Sequence, residues 1–123
     1  MSVRQQPAPV FPAFAPGVEI AAARRLAARI RYANWLSKHA NTNAGRAQAY
    51  RLKARQVSHG LMKFPRWFRI LSYEQHQHLG LLLVVQLADF SRVHIPYDSL
   101  HETVRETINV EQLPSRRTLP LAA

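Results

Sequence analysis

Residues 73–92, YEQHQHLGLLLVVQLADFSR, decide how this chain folds, because large apolar side chains crowd its second half. At helical spacing Leu79, Leu81, Leu82, Leu83, Val84, Val85, Leu87 and Phe90 fall nearly all round the axis, and a helix apolar on every side is a buried one. Ser72 followed by Gln75 has the spacing of a capping box that would open such a helix. The expectation is therefore a buried helix over about 73–92, the third of the chain and the spine of the fold. A central strand over 79–87 is the competing reading, since a short apolar run carries no periodicity to separate the two.

On the C-terminal side, Pro96 ends the connection and Asp98 is placed to cap a fourth helix over about 98–112. Tyr97, Leu100, Val104 and Ile108 would form its apolar stripe. On the N-terminal side, KFPRWFRIL at 63–71 reads as an elbow, because Pro65 disfavours helix in the residue before it. A second helix is expected over about 44–62, with Tyr50, Ala54, Val57 and Leu61 along one side. A first is expected over 18–40, with Ala22, Ala23, Leu26, Ile30 and Ala33 on one face. Asn41–Asn43 supplies the turn between them. Pro7, Pro9, Pro12 and Pro16 make residues 1–17 extended, and Pro114 and Pro120 do the same for 113–123. The fold class predicted is all-α, a four-helix bundle over 18–112 with extended proline-containing tails at both ends.

Charge is divided unevenly. Residues 1–72 hold thirteen basic residues against Glu19 alone, net +12, and residues 73–123 hold four against six acids, net −2, which together give the +10 of the chain. Between Ile20 and Tyr73 there are twelve Lys or Arg and no Asp or Glu. Such a segment repels itself unless something outside the chain neutralises it, and nucleic acid is the commonest polyanion. Arg24, Arg31 and Lys38 recur every seven residues as a stripe opposite the apolar face of the first helix. Arg25 with Arg29, Arg51 with Arg55, and Arg46 with Lys53 stand in support, and Arg66 and Arg69 belong to the elbow. Trp35 falls by helical phase among the cations, where a ring can stack on bases. For Phe64, Trp67 and Phe68 the plainer reading, a plug at the junction of helices, is preferred over stacking.

Other chemistries find little support. There is no cysteine, the histidines His39, His59, His76, His78, His94 and His101 are scattered or point apart, and no metal or other cofactor is expected. No phosphate-cradling loop or nucleophile elbow is present, so the chain is read as non-enzymatic. The longest apolar run, Leu81–Val85, falls far short of the ~20 residues of a membrane span. A cytoplasmic location is expected. A helix-turn-helix over 32–55 is disfavoured because its loop is too long and the basic residues spread over both helices, a distribution suited to following a backbone.

In size, charge and predicted helix count over about 18–112, the chain resembles the small helical subunits of multi-subunit (class 1) CRISPR effector complexes. No diagnostic motif carries that resemblance, and no residue roles follow from it. It implies an antiviral defence setting, with several copies side by side along larger protein subunits. The function expected is sequence-tolerant binding of a nucleic-acid backbone, RNA or single-stranded DNA, within a larger ribonucleoprotein or nucleoprotein assembly. Two other classes stay open: a structural protein of a virion or organellar ribosome, and an inhibitor or adaptor whose basic face captures an acidic protein.

Overall fold

The computed structural model describes residues 16–114, so residues 1–15 of the expected arm and most of the expected C-terminal tail lie outside the described residues, while Pro16 and Gly17, expected to be extended, are helical. Two long helices come first, α1 over Pro16–His39 and α2 over Asn43–Lys63. A sheet of three strands follows, β1 over Arg69–His76, β2 over Gly80–Gln86 and β3 over Arg92–Pro96. The chain then runs through a 3-10 turn at Tyr97–Ser99, a one-turn helix α3 over Glu102–Arg105 and a second 3-10 turn at Val110–Gln112.

The first two helices are where the sequence puts them. Pro16 opens α1 at a position where a missing N–H costs nothing. Thr42 caps α2, its Oγ1 accepting from the Gly45 amide at 2.9 Å. Ala23, Leu26, Ala27, Ile30 and Ala33 of α1 are buried, and Ala54 and Val57 of α2 join most of them in the core. Small side chains on both helices allow close approach across the short Ala40–Thr42 connection.

The all-α four-helix bundle is wrong. Residues 69–96 form an antiparallel meander in the order β1-β2-β3. The reason lies in the polar half of the stretch that looked helical. A buried helix over 73–92 would have carried Glu74, Gln75, His76, Gln77 and His78 into the core with it. As strands, those residues fall at the end of β1 and in the turn, and the apolar run alone becomes the central strand. Ser72 and Gln75 therefore cap nothing; both lie in β1, facing Val84 and Leu81 across the ladder. His76 Nδ1 instead accepts from the amides of His78 and Leu79, each at 3.1 Å, and Gly80 adopts φ 76 where the hairpin closes. A positive φ there suits glycine.

Leu83 pairs with Ile95 and Val85 with Val93, and all four side chains lie in the core cluster with the helices. Burying each is worth about 1.5–3 kcal/mol. The sheet thus packs one face against the α1–α2 hairpin. The elbow aromatics Phe64 and Phe68 are 4 % and 2 % exposed and fill the junction, so the plug reading describes them.

The fourth helix is also a correction. Only Glu102–Arg105 is α-helical. Arg105 Nη1 donates to the Leu100 carbonyl at 2.7 Å and Tyr97 Oη donates to the Arg105 carbonyl at 3.2 Å, which fixes an irregular path. The stripe nevertheless points inward: Leu100 and Val104 are buried, and Tyr97 and Ile108 pack against the core. Beyond it, the Pro114 carbonyl accepts from the Tyr73 amide at 2.9 Å, placing the chain beside β1. With two long helices and a sheet, the helix count that supported the CRISPR-subunit resemblance no longer holds.

Candidate nucleic-acid interface

The outward side of α1 carries a ladder of rings. Trp35 is 54 % exposed and Tyr32 64 %. Their centroids are 6.4 Å apart with planes inclined by 11°, and His39 sits 4.9 Å from Trp35 on the other side. The spacings i, i+3 and i+4 put the three rings on one strip of helix surface. At about 100° per residue, Arg24, Arg31 and Lys38 run along one edge of that strip and Arg25 and Arg29 along the other. All five are exposed. Sequence reasoning singled out Trp35 and missed Tyr32 and His39, although their spacing from Trp35 was the available signal.

Compensation of this charge within the protein is slight. Arg31 Nε lies 2.8 Å from Asp89 Oδ2. Among the described residues, no other member of the predicted cationic set pairs with a carboxylate. Asp89 belongs to the tight turn joining β2 to β3, where the Leu87 amide donates to the Ser91 carbonyl at 2.8 Å. Next to it, Phe90 is 72 % exposed and held at φ 67, a conformation that costs a bulky side chain energy. The Arg31–Asp89 pair ties this aromatic tip to the basic side of α1.

The remaining predicted residues divide. Arg51 and Arg55 are exposed on α2, and Arg66 and Arg69 are exposed at the elbow and the start of β1. Arg46 is half-buried and spends its guanidinium on the α1–α2 turn, donating to the Ala40 carbonyl at 2.6 Å and to Asn43 Oδ1. Lys53 is only 4 % exposed, with Nζ 5.7 Å from the centroid of the Tyr50 ring. Burial, and then the charge of Lys38, lower its pKa to about 8. Lys53 is therefore no part of the exposed surface. Trp67 is half-buried against the core, with its Nε1 buried and unbonded.

Among the described residues, no group of three His, Asp or Glu side chains is arranged to hold a metal ion, and no helix is long and apolar enough to cross a membrane. No protein-family model matches the chain, and no curated protein or solved structure matches it either.

Proposed function

We propose that this chain is a non-enzymatic binder of nucleic acid, RNA or single-stranded DNA, that grips a strand along α1 without reading its sequence. The observation that carries the reading is Trp35, half-exposed between Tyr32 and His39 with exposed arginines on both sides. Rings of this kind offer faces to unpaired bases of any identity, while guanidinium groups hold the phosphates. A duplex buries those base faces, so an aromatic strip favours a single strand. A merely soluble basic surface needs no stacked aromatics, and leaving two large rings in water forgoes the gain of burying them.

Trp35 supplies its own test. Adding an oligothymidylate should quench the fluorescence of the wild-type protein, and Trp35→Phe should lose most of that signal. Trp35→Ala should weaken binding by about 1–3 kcal/mol while changing stability by less than about 0.5 kcal/mol, as at other exposed positions. Quenching by an acidic polypeptide but not by the oligonucleotide would assign the face to a protein partner instead.

A further inference from the structure

A second feature lies on α2, where a cleft of about 440 Å³ opens between that helix and the loop leading into α3. Its size falls in the range of small-molecule sites, and it is far larger than a lone phosphate requires. Ala54, Met62 and the ring of Tyr50 give it an apolar lining, and Arg51 and Arg55, one helical turn apart and both exposed, line it as well. Among the described residues that line it there is no carboxylate.

The far wall is fixed in place. The His101 amide donates to Ser58 Oγ at 2.9 Å, which fastens the loop to α2. His101 Nδ1 accepts from the Thr103 amide at 3.1 Å, so the neutral ring carries its hydrogen on Nε2. That hydrogen remains to donate to a ligand. Tyr50 Oη is buried and makes no hydrogen bond of good geometry, although Ser99 is close enough to lower its pKa against the larger, upward effect of burial. The Ser99 hydroxyl and the His101 imidazole, both on residues with surface open to solvent, thus line the cleft together with two arginines.

The geometry points to a nucleotide site: the cleft takes one nucleoside 5′-phosphate, its base against the Tyr50 and Met62 side chains and its phosphate on Arg51 and Arg55. The polar groups within the cleft suit the ring nitrogens and carbonyls at a base edge, and the cationic rim matches the phosphate in charge. The same unit exists as a free nucleotide and as the phosphorylated end of a strand. The site goes beyond the α1 reading and does not depend on it, because none of its lining residues lies on α1.

The test follows the imidazole resonances of His59 and His101, both lining residues, in the full chain. The probes are AMP, and pentathymidylate with either a 5′-phosphate or a 5′-hydroxyl. Saturable shifts of both rings with AMP identify a site for free nucleotide; shifts only with the 5′-phosphorylated strand identify a strand-end site. Either result supports the assignment if Arg51→Glu/Arg55→Glu weakens the response at least tenfold and Met62→Trp, a filling change at a half-exposed position, does the same. Arg24→Glu/Lys38→Glu should leave it unchanged. The assignment is overturned if millimolar AMP and the phosphorylated strand move neither ring, if the paired arginine change has no effect, or if phosphotyrosine shifts both rings where the nucleotides do not.

Discussion

Arg31 Nε and Asp89 Oδ2 stand 2.8 Å apart, joining the middle of α1 to the turn between β2 and β3. The pair sets one cation of the basic face against an internal carboxylate and leaves the others to solvent. Partial burial raises the pKa of Asp89, but the Ser91 hydroxyl and amide together with Arg31 outweigh it, so the group ionises below its usual 3.8.

Asp89→Asn therefore separates stability from binding. Arg31 is exposed at 56 % and Asp89 only partly buried at 25 % exposure, so loss of the pair should cost less than about 1 kcal/mol. A lowered carboxylate pKa stabilises the fold above the unfolded value and ceases to do so as pH falls through the folded one. Urea unfolding should show the wild type ahead of the variant at pH 7 and level with it in acid below the folded pKa. Freed of its carboxylate, Arg31 should bind an oligonucleotide more tightly, by a few-fold at low salt.

Lys53 should behave in the opposite sense to a stabilising charge. Its pKa falls from 10.5 to about 8 on folding, so the unfolded chain binds more protons between those values. Stability should rise as pH climbs from about 8 to 10.5 and stay flat just below that window. Lys53→Met removes the charge and keeps the stem, and it should stabilise the protein at pH 7 by about 1–3 kcal/mol. Thermal unfolding at pH 7 and pH 10 checks this: the advantage of the variant should shrink at the higher pH.

Gly60→Ala should destabilise, against the usual helical preference for alanine. A Cβ on Gly60 would come within 2.9 Å of the Phe68 ring, which is itself 2 % exposed and has nowhere to move. Overpacking of this kind costs about 1–3 kcal/mol and exceeds the ~1 kcal/mol gained in helix propensity. A lower urea midpoint with an unchanged slope is the expected result.

The helical half of the fold was legible because its signals were local. Alanine periodicity, Thr42 and the Asn41–Asn43 turn each fix a feature within a few residues of themselves. The sheet was not. Leu81–Val85 is apolar whichever way it folds, and only pairing with Tyr73, Val93 and Ile95 on the neighbouring strands decides in favour of a strand. The polar run Glu74–His78 was the available clue, since it cannot share a buried helix. The exposed arginines of α1 followed from helical phase alone. The burial of Lys53 did not, because helical phase alone does not say what packs over the side of α2 that carries Tyr50 and Lys53. Phe90 was read as core for the same reason: in a helix it would face inward, whereas in a hairpin it occupies the tip.

The account rests most on phosphates meeting the exposed cations of α1, and the salt dependence of binding to a mixed-sequence single-stranded oligonucleotide tests that directly. Four to five phosphate contacts predict a slope of log K against log salt of about −3. Arg24→Glu/Lys38→Glu should reduce that slope while the thermal unfolding midpoint stays in place. A slope near zero, or a midpoint that collapses in the variant, would contradict the account.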